Sequence, residues 1–296
     1  MDGERRIPRR PRRCVRRRAR PASRCSREQR SNVDGGESVQ EPLHEGQLVR
    51  PFFPFYGSKW NLARRYPAPT EAVVIEPFAG AAGYSTFCDV PCAQLFDADP
   101  IIAGVWDYLL RVSPAEVLAL PELAEVGDSV DNYAIPQEAK WLIGFWLNRG
   151  SASPKKSRTA YSARTDRSQL NWSEPARQRI ATQLAKISGW SITNASYMDA
   201  PDVRATWFVD PPYVDKGKFY RIKFTSHAFL GEWCLARHGQ VIACEGPGAA
   251  WLPFTPLGSF KSSKGRADEV VYLSIASSSR SCASSSSSIR AGGGCR

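Results

Sequence analysis

Two short runs in this 296-residue chain carry acids at the ends of apolar segments, the spacing at which a β-strand delivers a side chain to an open edge. In the first, Trp207-Phe208-Val209 runs into Asp210-Pro211-Pro212-Tyr213: an acid, a stiff turn-forming Pro-Pro pair, and an aromatic ring available for stacking. In the second, Val73-Val74-Ile75 runs into Glu76-Pro77-Phe78-Ala79-Gly80, an acidic turn in which Gly80 lets the backbone approach a ligand closely. A helix beginning after that turn would favour a carboxylate at its N-terminus. Asp97 ends the next strand about twenty residues on, where an acid accepts hydrogen bonds from ribose hydroxyls. Together these features fit a nucleoside-bearing cofactor. The glycine spacing is not G-x-G-x-x-G, which counts against a dinucleotide.

The elements that must hold these residues alternate. Val73–Ile75 and Gln94–Phe96 read as strands; Ile102, Val105, Trp106, Leu109 and Leu110 have the spacing of a helix face within Ile101–Val112. Pro136 opens a second helix with Trp141, Leu142, Phe145 and Trp146 on its core side. Ser173 and Pro175 open a third, with Ile180, Leu184 and Ile187 buried. Three strands follow, Trp190–Thr193, Thr206–Val209 and Gln240–Ala243, with a helix around 226–237 between the last two. Strands alternating with helices predict an α/β fold, a parallel sheet with helices on both faces, with Glu269–Leu273 as a closing edge strand. In such a sheet ligands bind at the carboxyl ends of the strands, where the strand order reverses.

Composition sets the limits. The formal charge of +11 is local: residues 1–30 hold thirteen Arg against Asp2, Glu4 and Glu28, leaving about +1 for everything else. Within that remainder, residues 149–179 carry eight Lys and Arg against Asp166 and Glu174. Residues 1–48 have too little apolar surface to form a core, and from Ser277 onward the chain is almost all Ser, Arg, Ala, Gly and Cys. Both ends are expected to be disordered, 1–48 as an Arg-rich tail and 276–296 as a low-complexity one. The N-terminal tail reads either as a DNA-binding arm or as a segment without an evolved role. The eight cysteines are scattered, with no second close pair or His cluster to complete a zinc site. A reduced, cytoplasmic, metal-free monomer is the expectation. No run approaches the ~20 apolar residues of a membrane span.

Taken in order, Phe55-Tyr56-Gly57-Ser58-Lys59-Trp60, Glu76-Pro77-Phe78-Ala79-Gly80, Asp97 and Asp210-Pro211-Pro212-Tyr213 resemble the S-adenosylmethionine-dependent DNA adenine-N6 methyltransferase family of bacterial and phage type, in the group whose cofactor motifs precede the catalytic one. The similarity runs through most of 51–273, including Trp251-Leu252-Pro253-Phe254, and excludes both tails. It implies a Rossmann-like methyltransferase sheet, with a cofactor half at 49–130, a target-recognition insertion at 131–189 and a catalytic half at 190–275.

By this resemblance Phe55, Tyr56, Lys59, Glu76, Phe78, Gly80, Asp97, Asp199 and Asp210 surround the cofactor. Lys59 would counter its carboxylate, Glu76 would lie near its methionine part, Asp97 would hold the ribose, and Asp199 would sit near the adenine. Asp210, Pro211, Pro212 and Tyr213 form the catalytic set, with Tyr213 stacked on the target base. The family often has a second glycine two residues after the first; this chain has Ala82 there, followed by Gly83. Arg149, Lys155, Lys156, Arg158, Arg164 and Arg167 fall in the insertion and would contact double-stranded DNA. Lys216, Lys218, Tyr220 and Arg221 would close over a base flipped from the duplex.

Adenine N6 is a poor nucleophile because its lone pair is delocalised into the ring. Hydrogen bonds from its two N–H groups to the Asp210 carboxylate and the Pro211 carbonyl would favour a tetrahedral nitrogen and free that pair. An RNA base methyltransferase and a catalytically idle nucleic-acid-binding remnant remain alternatives. Cytosine-N4 methylation is disfavoured because Ser commonly replaces the acid there.

Overall fold

In the computed structural model, residues 48–164, 171–262 and 265–274 are described, and all belong to one compact unit within 35–296. Both tails inferred from composition, apart from Leu48, lie outside the described residues, as does Arg167.

Among the described residues, seven strands form one mixed sheet: β1 (Val74–Glu76), β2 (Ala93–Asp97), β3 (Ser191–Asn194), β4 (Ala205–Val209), β5 (Gly239–Glu245), β6 (Thr255–Ser262) and β7 (Gly265–Ser274). Their order is β3-β2-β1-β4-β5-β7-β6. The first five are mutually parallel, and β7 runs antiparallel to both β5 and β6. The fold is therefore α/β. Glu269–Leu273, expected at the edge, lies inside the sheet instead. The edge strand is β6, whose Pro256 and the bulge between Pro256 and Gly258 mask the alternation that would have revealed it. A proline is tolerated there because an edge strand leaves N–H positions without ladder partners.

The helices are α1 (Gly83–Phe87), α2 (Pro100–Leu109), α3 (Pro114–Leu118), α4 (Gln137–Leu147), α5 (Ala160–Arg164), α6 (Glu174–Gln183) and α7 (His227–Leu235). Alternate residues of the central strands feed two cores. Val74, Leu95, Phe208 and Ile242 pack on one face with Trp106, Phe145 and Ile180; Ile75, Trp207, Val209 and Val241 pack on the other with Leu230 and Leu252. Burial on both faces is why the central strands read as nearly continuous apolar runs. The 131–189 region, expected as an insertion, supplies part of the first core: Leu142, Ile143 and Phe145 of α4 are fully buried. Trp146 Nε1 donates to the Phe52 carbonyl at 3.1 Å, tying α4 to the segment before β1.

Asp99 starts α2 by accepting from the Ile101 amide at 2.9 Å. Ser113 and Glu116 form a reciprocal capping box on α3, satisfying amides that the first turn leaves orphaned.

Candidate active site

The strand order reverses between β1 and β4: β2 and β3 continue to one side, β5 to the other. Three acids stand at the carboxyl ends of the strands around this point, Glu76 on β1, Asp97 on β2 and Asp210 directly after β4. All three line one cavity of about 230 Å³. Phe55, Tyr56, Phe78 and Gly80 line it as well, so the candidate cofactor residues converge, with one exception described below.

Lys59 enters from the segment before β1. Its Nζ is 2.7 Å from Asp210 Oδ1, donates to Oδ2 at 2.9 Å and to the Gly57 carbonyl at 3.0 Å, and lies 3.8 Å from Glu269 Oε1. Burial alone would lower its pKa, but Asp210 and then Glu269 outweigh that and hold it well above the usual lysine value. Asp210 is pushed up to about 6 by burial, against the attraction of Lys59. Lys59 is thus a charged partner of Asp210. The sequence reading gave it a different counter-ion, the cofactor carboxylate.

Glu76 is buried, accepts from the Ser85 amide at 2.8 Å, and is pushed up to about 8 by desolvation. That bond corrects an expectation. The Ser85 amide, at the start of the five-residue α1, is taken up by the chain's own carboxylate rather than offered to a ligand. Asp97 accepts from the Gly80 and Asp99 amides at 2.9 and 2.8 Å and is pushed up to about 6, again by burial. Gly80 sits at φ +46°, and a Cβ there would lie 3.1 Å from the Phe55 ring, so the loop requires glycine on two counts. Ala82 also adopts a left-handed conformation, φ 45°, at the position where the resembled family often carries its second glycine.

Two expectations fail on geometry. Asp199 accepts from the Ser196 amide at 3.0 Å in a capping box and does not line the cavity; its neighbours Ser196 and Tyr197 do. A carboxylate three residues after a serine closes the short helical turn on itself. Tyr213 is not an open stacking platform. It is buried, its hydroxyl donates to Glu269, and the Lys59 ammonium lies 4.7 Å over its ring. The buried Glu269 of β7, which also accepts from Tyr66 at 3.2 Å, draws the ring inward.

Aromatic residues that sequence reasoning missed form the remaining walls. Tyr197 stacks on Phe78 at 5.4 Å, and Phe224 packs edge-on to both. Tyr220, expected only to close over the base, lies 5.5 Å from Tyr56 and lines the cavity.

The basic residues divide. Arg221 lines the cavity with its Nε 3.0 Å from Asp99 Oδ2. Lys218 is exposed on the 3-10 turn Gly217–Phe219. Arg149 and Lys155 are exposed, and Lys156 pairs with Asp131 at 2.8 Å. Arg158 departs from its expected phosphate role: it donates to the Leu123 carbonyl at 2.5 Å and braces the loop before it. Arg164 lies on α5. The stretch begins at the cavity wall, since Ala152 lines the cavity and the Ser151 carbonyl accepts from the Tyr56 amide at 3.2 Å.

Among the described residues, no group of three or more His, Cys, Asp or Glu could hold a metal ion, and no helix is long and apolar enough to cross a membrane.

No family model matches the chain, and no curated protein matches it. Among solved structures it is similar to a conserved hypothetical protein from Streptococcus pyogenes at 10% identity, covering 73% of this chain and 93% of that one, with a TM-score of 0.30.

Proposed function

We propose that this chain is an S-adenosylmethionine-dependent methyltransferase that modifies an exocyclic amine of a nucleic-acid base, N6 of adenine in double-stranded DNA. The observation that carries this reading is the shared cavity: Asp97 and Asp210, 113 residues apart in the sequence, face one space at the switch point of the sheet. The order β3-β2-β1-β4-β5 repeats the first five places of the dinucleotide-binding sheet, and a reversed hairpin stands where the sixth strand would be. That arrangement suits the Rossmann-like methyltransferase sheet implied by the ordered motifs.

The residues present fit such a cofactor. Glu76, Asp97 and Asp210 line the cavity, and a ligand ammonium beside Glu76 would favour its ionised form against the burial that raises it. Ser58 Oγ is buried without a hydrogen-bond partner while lining the same cavity. It is a polar atom that a ligand would satisfy. Glu76 would hold the amino group, Asp97 the ribose hydroxyls, and the stacked Phe78–Tyr197 pair would form one apolar wall beside the adenine. When bound, the cofactor supplies an electrophilic methyl group on sulfur.

The chain's own residues do the rest. Asp210, kept ionised by Lys59, and the Pro211 carbonyl would each accept one N–H of the target amine. Accepting both hydrogens favours a tetrahedral nitrogen with a localised lone pair. Catalysis is then positioning plus electrostatic stabilisation of the charge that develops on nitrogen. With Tyr213 turned inward, Tyr220 and Tyr56 are the aromatic rings at the cavity wall available to a flipped base.

The test is incubation with methyl-labelled S-adenosylmethionine and either DNA or RNA, followed by identification of the modified nucleoside. N6-methyladenine in DNA supports the proposal. Label confined to RNA, or DNA binding without any transfer, would replace it with one of the alternatives.

A further inference from the structure

His227 touches the catalytic turn from outside the cavity. Its Nε2 lies 2.9 Å from the Pro212 carbonyl oxygen. The ring is clamped edge-on by Phe224 at 4.8 Å, and its side chain is 13% exposed. Behind it, Glu245 Oε2 lies 3.9 Å from Nε2 and accepts from Trp251 Nε1 at 3.1 Å, while Oε1 accepts from the Gly246 amide at 2.8 Å. Glu245 is the buried last residue of β5, the strand beside the one that delivers Asp210.

The turn needs an external tie. Pro211 and Pro212 have no amide hydrogen, so neither can anchor the turn as a donor. Their fixed φ angles stiffen each residue but leave the orientation of the peptide planes to ψ. A carbonyl oxygen only accepts, so the contact requires the proton on Nε2. We infer that His227 is a positioning residue: its imidazole N–H holds the Pro212 carbonyl and thereby sets the peptide planes of the Asp210-Pro211-Pro212 turn. The inference rests on the function proposed above, because the turn must aim two acceptors at one amine.

The full chain is compared with His227→Gln, which keeps a neutral side-chain N–H donor, and His227→Leu, which has none. Methyl transfer to genomic DNA from a methylation-free host is measured alongside S-adenosylmethionine affinity. Misplacing a catalytic group by about 1 Å costs up to about 100-fold in turnover. His227→Leu should therefore lose about that much kcat while cofactor affinity stays within about twofold, with His227→Gln recovering most of the loss. Equal turnover in all three, or a loss of both kcat and affinity that Gln does not repair, overturns the inference. If the unmodified chain transfers no methyl group, the functional reading fails separately. Long-range proton–nitrogen spectra of the imidazole then decide: a proton on Nε2 upholds the tie, and a neutral ring protonated at Nδ1 overturns it.

Discussion

The Lys59 ammonium is bound to the Asp210 carboxylate, 2.7 Å from Oδ1 and 2.9 Å from Oδ2, across 151 positions of sequence. Glu269, contributed by the antiparallel β7, completes a buried cluster of one cation and two anions and also anchors Tyr66 and Tyr213. The cluster explains how Asp210 can be buried and still ionise. It also makes the two partners unequal.

Removing the cation leaves two buried carboxylates facing one another, whereas removing the charge of Asp210 leaves Lys59 beside Glu269. Lys59→Met should cost about 3–5 kcal/mol of stability, the range for an uncompensated buried charge, and Asp210→Asn distinctly less. The order of the effects on activity reverses in emphasis. Asp210→Asn should lower methyl transfer by about 10²-fold or more while the fold persists. Urea denaturation and turnover assays on both variants check this. An Asp210→Asn protein less stable than Lys59→Met would show that Glu269 does not share the cation.

Glu76 makes stability depend on pH in the direction opposite to a surface carboxylate. Burial raises its pKa from 4.5 to about 8, so between these values the folded chain holds a proton that the unfolded chain has released. Stability therefore falls as pH rises through that window. Asp97 and Asp210, raised from 3.8 to about 6, act with the same sign at its lower end, leaving pH 6–8 mainly to Glu76. Thermal unfolding of Glu76→Gln across pH 5–9 should show a shallower decline than the parent protein. Parallel curves would place the ionised carboxylate in a better-solvated setting than the structure gives it.

How much of this was legible in sequence depended on range. Glu76, Asp97 and Asp210 were readable because each follows an apolar strand, and strand ends are where a parallel sheet opens. Lys59 was readable as a site residue, but its partner was not, since nothing local joins it to position 210. Glu269 was invisible: the second of two acids, Asp268-Glu269, before Val270-Val271 reads as a solvent-facing strand residue, and only the placement of β7 between β5 and β6 buries it. The inward turn of Tyr213 follows from Glu269 and was hidden for the same reason. Tyr197 lies in a three-residue helical turn and Phe224 in an irregular segment, too short or too irregular for periodicity to give a signal.

Ala82 and Gly83 should respond oppositely to exchange. Ala82 is held at φ 45°, which costs an L-residue about 1–2 kcal/mol relative to right-handed backbone. Ala82→Gly relieves this, less about 0.5–1 kcal/mol of added unfolded-state entropy, for a net gain of up to about 1.5 kcal/mol. A Cβ at Gly83 would lie 2.7 Å from the Trp60 amide nitrogen and 3.0 Å from that of Lys59. Gly83→Ala should therefore destabilise by about 1–3 kcal/mol and displace Lys59 from Asp210. Denaturant midpoints check the first effect. Loss of activity in folded Gly83→Ala checks the second.

The basic residues should separate into those that meet a polyanion and those that brace the fold. Lys155 and Lys218 are exposed, one beside the segment that lines the cavity wall and one on the turn that follows Asp210-Pro211-Pro212-Tyr213. Replacing either with Ala should weaken DNA binding across sequences and reduce the slope of log affinity against log salt by about 1. Arg158 donates to the Leu123 carbonyl, so Arg158→Ala should lower stability through a loosened loop. Its effect on the salt slope should be smaller than that of either lysine, because its guanidinium is engaged by the protein. Fluorescence anisotropy with labelled duplex over about 50–300 mM salt measures these slopes. A slope change at Arg158 as large as at Lys155 and Lys218 would mean that the brace yields on binding and that all three side chains reach phosphate.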